Sequence, residues 1–226
     1  MGLRGVLAVA GVWAVVCMVP AAAEEAGGLQ SDSISVAVSP ELYGPVEAMQ
    51  AGDYAAAAEV LHEIVGRDSS HVQALRLLAS ACIHLDAYVQ AIWTCRRISV
   101  LDSTDVGVVV ALGFLYQVKG DLDLAEMYYR QALERDPNMI QAYQGLGWAY
   151  MQRRQLAQAL DMVTRTSERA PDYAPNYLLM GRVLTAQGFF QDAAVAYRRA
   201  FALRPELREQ YGILLQELAL RYRLVR

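Results

Sequence analysis

The chain has 226 residues, 55% of them hydrophobic and 19% charged, with a formal net charge of −4. That composition excludes an intrinsically disordered chain, and the acidic balance excludes a nucleic-acid binder that works by neutralising phosphates. Three cysteines in a chain of this length are too few for a disulfide-built scaffold, so stability must come from packing.

The first 23 residues carry a single charged side chain, Arg4. An apolar stretch from Val6 to Met18 follows it, then Pro20 and Ala21-Ala22-Ala23, the order of a secretory signal with a small-residue cleavage site. The expected cut lies between Ala23 and Glu24, which places the mature chain in the periplasm of a bacterium. Two alternatives stay open. Val6 to Ala23 just reaches the lower length limit of a spanning helix, which would leave the protein anchored and facing the periplasm. Lipidation at Cys17 fits poorly, because Val16 stands where a lipoprotein signal wants a small residue. Residues 24–37, with Gly27-Gly28 and Ser31-Asp32-Ser33, show no periodicity and are read as a flexible tether.

From residue 38 the sequence repeats every 34 residues. Ala57, Ala91, Ala125, Ala159 and Ala193 keep that step, as do the small residues Ala79, Gly113, Gly147 and Gly181. Breakers fall at Gly52, Gly120 and Gly188, and a second set closes each unit at Ser69, Ser103, Pro137, Pro171 and Pro205. Between breakers the apolar residues are spaced by three and four, the pattern of amphipathic helices. Each unit is therefore two antiparallel helices, with glycine ending the first and proline opening the turn after the second. The small columns let the helix axes approach more closely than Leu or Phe would allow. Pro45 stands where the first unit's small residue belongs, so that helix is expected to be short, bent or displaced.

The stretch Leu112-Gly113-x-x-Tyr116, Gly120-Asp121, Ala125, Tyr129, Ala132-Leu133 and Asp136-Pro137 resembles the tetratricopeptide repeat family, and Tyr143, Leu146, Gly147, Tyr150, Ala159 and Pro171 repeat most of that pattern. The resemblance implies an all-α, right-handed α-solenoid of five units, 38–71, 72–105, 106–139, 140–173 and 174–207, closed by a capping helix over 208–226. It also implies a non-enzymatic adaptor of the bacterial envelope whose first helices form a concave binding wall.

Nothing in the residues supports catalysis, a metal or a cofactor. His62, His71 and His84 lack the i, i+4 spacing of a helical zinc pair, and Gly145-x-Gly147 lies within a helix, where close packing explains it. The wall positions run through Gln73, Arg76, Ser80 and His84, then Val110, Phe114 and Gln117, then Gln141, Gln144, Trp148 and Met151, then Leu178, Arg182 and Thr185. The Lys and Asn clamp of the family's chaperone-binding grooves is absent from Arg76/Ser80, Val110/Phe114, Gln144/Trp148 and Leu178/Arg182. Val110, Phe114, Trp148, Met151 and Leu178 replace it with an apolar centre between Arg76 and Arg182. That suits an amphipathic helix or an apolar peptide with an acid group from another envelope protein. A small-ligand carrier and a self-associating structural protein are the alternatives, and no nucleic-acid partner is expected.

Two further expectations follow from helix geometry. Antiparallel pairing of Ala79 with Ala91 sets Cys82 and Cys95 about 10 Å apart along the hairpin, too far for a disulfide, so both should be buried free thiols. In the last helix Tyr211, Leu214, Leu215, Leu218, Tyr222 and Val225 form a capping stripe, while Ile213, Leu220 and Leu224 fall on the opposite face. That outer stripe is read as a second contact surface, a homodimer seam in preference to a weak membrane contact.

Overall fold

The computed structural model describes residues 39–222, without the side chains of residues 210 and 219–222. The expected signal segment and tether, Leu224 and the side chain of Leu220 lie outside the described residues. Every regular element among the described residues is helical. A short 3-10 turn, Pro40–Leu42, leads into α1 (Tyr43–Gln50), α2 (Tyr54–Arg67), α3 (Val72–His84), α4 (Tyr88–Leu101) and α5 (Val106–Lys119). There follow α6 (Leu122–Arg135), α7 (Ile140–Gln152), α8 (Leu156–Arg169), α9 (Ala174–Gln187), α10 (Phe190–Leu203) and α11 (Leu207–Tyr222). The helices sort into two compact units, residues 1–119 with α1 to α5 and residues 120–226 with α6 to α11.

The helix ends explain the 34-residue step. Five positions take the left-handed conformation: Gly52, Asp86, Gly120, Arg154 and Gly188. They share one column of the repeat, so the turn expected at three glycines is made at all five sites. At four of them the next residue's N–H reaches back five residues to a helix carbonyl, as in Asp53 to Ala48, Ala87 to Cys82, Gln155 to Tyr150 and Phe189 to Leu184. Those bonds satisfy carbonyls that a helix C-terminus would otherwise leave bare. The second helices end differently, on an extended residue at Asp68, Asp102, Asp136 and Arg204 and on Ala170 at φ −136° and ψ 77°. Before Pro137, Pro171 and Pro205 the ring itself disfavours helix. Where Ser69 and Ser103 replace the proline, a side chain supplies the turn: Asp68 Oδ1 accepts from the Ser70 amide and hydroxyl, and Asp102 Oδ1 from those of Thr104.

Within residues 1–119 the core is aliphatic, with Leu42, Leu61, Ile64, Leu75, Leu78 and Ile98 fully buried. Each such side chain contributes about 1.5–3 kcal/mol relative to exposure. Helix α1 has only eight residues, the shortening expected from Pro45. The proline occupies the helix's first turn, where its missing N–H costs no intrahelical bond, and it is buried. Cys82 and Cys95 are buried free thiols. Burial pushes Cys82 up to about 11 and, with the nearby Asp105 charge adding to it, Cys95 up to about 12.

Within residues 120–226 two tyrosines replace part of that aliphatic filling. The ring of Tyr129 on α6 lies directly against Gly145 of α7, where a Cβ would sit 2.2 Å from Cζ. Tyr197 on α10 lies against Gly181 of α9, where a Cβ would sit 2.6 Å from Cε1. The two glycines thus have a packing role, since each leaves room for an aromatic ring against a helix backbone. The columns at Ala159 and Ala193 are fully buried beside them. Helix α11 packs on α10 and buries Leu218, which fits the capping role.

Candidate partner-binding surfaces

Side-chain environments along the first helices divide the expected wall. In residues 1–119, Ser80 and Val110 are each only 3% exposed, and both belong to the core. In residues 120–226, Leu178 is 2% exposed and is likewise a core residue. These three are corrections to the expected wall. Helical spacing within one repeat could not reveal their burial.

Arg76 is corrected in another way. Its guanidinium pairs with Asp105 Oδ2, while Oδ1 of the same carboxylate accepts from the Val108 amide 3.2 Å away and so caps α5. Asp105 therefore serves two donors at once. A cation held in this way is part of the joint between repeats, and its charge is already answered. Phe114 and Gln117 are half-buried on α5, and Gln117 has a partner.

The wall of residues 120–226 keeps an accessible group. Trp148 and Met151 on α7 and Arg182 on α9 are half-buried. The guanidinium of Arg182 lies over the Trp148 ring, 4.9 Å from its centroid, in the range of a cation–π contact. Arg182 has no carboxylate partner and no hydrogen bond among the described residues. Its charge also reaches Tyr197 and Tyr211, so the start of α11 borders this group. Gln144, one turn before Trp148, accepts a 2.8 Å hydrogen bond from the Tyr173 hydroxyl at the head of α9.

Elsewhere in the same unit Arg153 pairs with Asp123 and Glu126, and Glu126 also accepts from Arg130 and from the Tyr150 hydroxyl at 2.8 Å. Burial opposes ionisation of Glu126, but these donors outweigh it and hold its carboxyl below the usual range. The group joins α6 to α7. Ile213, the described member of the outer stripe on α11, is exposed. No cluster of metal-ligating side chains occurs among the described residues, and none of their helices is long and apolar enough to cross a membrane.

Tandem antiparallel helix pairs repeated every 34 residues are the architecture of repeat scaffolds that serve protein–protein interaction in general. Two tetratricopeptide repeat models match the sequence, over residues 46–105 and 119–183, and the chain belongs to the tetratricopeptide repeat family. No curated protein matches it. Among solved structures it is similar to the thermophilic TPR protein TTC0263 of Thermus thermophilus, with a TM-score of 0.66 and 18% identity over 78% of this chain and 97% of that one. It is also similar to MamA from Desulfovibrio magneticus RS-1, with a TM-score of 0.63 and 16% identity over 74% and 94% of the two chains. A chain in the APC/C hetero-tetramer Cut9-Hcn1 gives a TM-score of 0.72 and 12% identity over 81% of this chain and 36% of its own. At these identities the likeness is one of fold, and the all-α solenoid class expected from the repeat is the class observed.

Proposed function

We propose that this protein is an exported adaptor that holds a segment of another envelope protein against the first-helix wall of residues 120–226. The export reading rests on the order of Arg4, the apolar stretch and Ala21-Ala22-Ala23, and N-terminal sequencing of the mature chain tests it by finding or missing Glu24 at its start. The observation that carries the binding reading is Arg182, a half-buried cation on an aromatic ring with no acid among the described residues to neutralise it. A partner's carboxylate completes that arrangement, and apolar side chains next to it cover Trp148 and Met151. Tetratricopeptide repeats are in general non-enzymatic, and this wall has the character of a recognition surface.

A displayed library of random twelve-residue peptides tests the reading. Selected sequences should combine an apolar or aromatic residue with Asp or Glu. Trp148→Ala should lower their binding about tenfold, as loss of an aromatic anchor commonly does. Arg182→Gln should remove the preference for acid while the apolar preference stays. If neither change alters the selected sequences, the wall is not the site. If Trp148→Ala abolishes the cooperative melt, the ring is a core residue and the reading fails there.

A further inference from the structure

The strongest surface outside that wall is on a second helix, in the other unit. Along α4 Val89, Trp93 and Val100 are 72%, 54% and 83% exposed. At 100° per residue they fall with Arg96 inside an arc of about 60° on the face turned from the core. Three large apolar groups on one stripe differ from the scattered exposed hydrophobics that any soluble protein carries.

The repeat supplies an internal control. The matching triplets are Ala55, Glu59 and Gly66 on α2, Asp123, Met127 and Glu134 on α6, Ala157, Asp161 and Glu168 on α8, and Gln191, Val195 and Ala202 on α10. The same positions are small or polar everywhere else, with single exceptions at Met127 and Val195. Fold requirements are common to all five units, so they do not account for an apolar triplet confined to one.

The charges on α4 point one way. The helix has Arg96 and Arg97 and no acidic residue, in a chain whose net charge is −4. Arg97 lies over the exposed Trp93 ring, 5.2 Å from its centroid, and Arg96 donates to the Tyr116 hydroxyl at 2.5 Å. Asp68, whose carboxyl feels the Arg97 charge, is already engaged by the Ser70 amide and hydroxyl. Two guanidiniums thus border the apolar stripe, each with donors beyond those the fold uses.

We infer that the outer face of α4 is a second docking surface, and that it takes an amphipathic helix of another protein whose leucine-like stripe is flanked by Asp or Glu. The partner's apolar stripe covers Val89, Trp93 and Val100, and its acids reach Arg96 and Arg97. This surface belongs to residues 1–119 and is independent of the Trp148 wall.

The test uses the mature chain and a single-helix scaffold displayed with one face randomised among Leu, Ala, Gln, Glu and Lys. Selected helices should carry Leu at a spacing of three and four, with Glu well in excess of Lys beside it, and their binding should weaken as salt rises. The triple change Val89→Gln, Trp93→Gln and Val100→Gln should reduce binding at least tenfold with helix content and melting temperature unchanged. Arg96→Gln with Arg97→Gln should keep the Leu pattern and abolish the excess of Glu. Selection of no helix, or of Lys as often as Glu, overturns the inference. So does loss of the cooperative melt in the triple variant, which makes the stripe structural. Two other occupants would also overturn it: a wild-type dimer in sedimentation that the triple change dissolves, or phosphatidylglycerol vesicles bound by the wild type alone while no helix is selected.

Discussion

Arg76 with Asp105 in residues 1–119 and Gln144 with Tyr173 in residues 120–226 are one contact made twice. Each joins a first-helix residue to the residue at the head of the next first helix, 29 positions on. In the first unit it is an ion pair whose carboxylate also caps α5, and in the second it is a neutral hydrogen bond of 2.8 Å. The comparison teaches that this column of the wall is committed to joining repeats, whatever its chemistry. The column one turn later differs from it: Ser80 is buried there, while Phe114, Trp148 and Arg182 are half-buried, and it is the last two that the proposed binding reading uses. In residues 120–226 that column presents a cation, Arg182, with no acid paired to it among the described residues.

The largest expected effect breaks the charged version. Asp105→Ala removes the α5 cap and leaves the Arg76 guanidinium unpaired, at a cost of about 2–4 kcal/mol. Tyr173→Phe removes only a neutral bond and should cost about 0.5–1.5 kcal/mol. Urea midpoints at unchanged m-value measure both. Equal costs would show that the ion pair adds nothing to the shared contact.

A second contrast concerns what fills the two cores. Gly145→Ala would drive a methyl into the ring of Tyr129, which is buried. Overpacking of that kind costs about 1–3 kcal/mol. Tyr129→Leu frees the space, so the double change should cost less than the two single changes together, a non-additivity expected of residues in contact. Strict additivity would mean that the ring and the glycine do not constrain each other. In residues 1–119, by contrast, Gly44, Gly52 and Gly66 have open space beyond their α-carbons, so a methyl added at those three meets no ring.

The residues that could be read from the sequence are those whose size is dictated by a steric limit common to every repeat. Ala57, Ala91, Ala125, Ala159 and Ala193 are all fully buried, where close helix packing favours a small side chain. Pro45 and the two thiols were legible from local rules of backbone and helix geometry. Ser80, Val110 and Leu178 were misplaced because a helix face one turn wide is shared between the wall and the neighbouring repeats. Their spacing is the same on either side of that boundary. Asp105 escaped notice because its partner lies 29 residues back, a separation that has meaning only once two repeats are stacked. The apolar stripe on α4 was present in the sequence all along. Comparing the second helices column by column separates Trp93 from Glu59 and Asp161, whereas the first helices alone do not.

The smallest expected effect sharpens the comparison at the turns. Asp86 in residues 1–119 and Arg154 in residues 120–226 hold the left-handed conformation at φ 57° and 63°, in the column where Gly52, Gly120 and Gly188 do so freely. A side chain with a Cβ is disfavoured there by about 1–2 kcal/mol, and aspartate tolerates the region better than arginine does. Glycine removes that penalty but gives back part of the gain through the extra freedom of the unfolded chain. Arg154→Gly should therefore stabilise the protein by about 0.5–1 kcal/mol. Asp86→Gly should gain less, because its carboxylate also accepts a hydrogen bond from the Tyr88 hydroxyl that the substitution deletes. Thermal unfolding of the two variants decides the matter: a larger gain at 86 than at 154 would mean that the turn after α3 is under more strain than the turn after α7, and that the Tyr88 contact does little to relieve it.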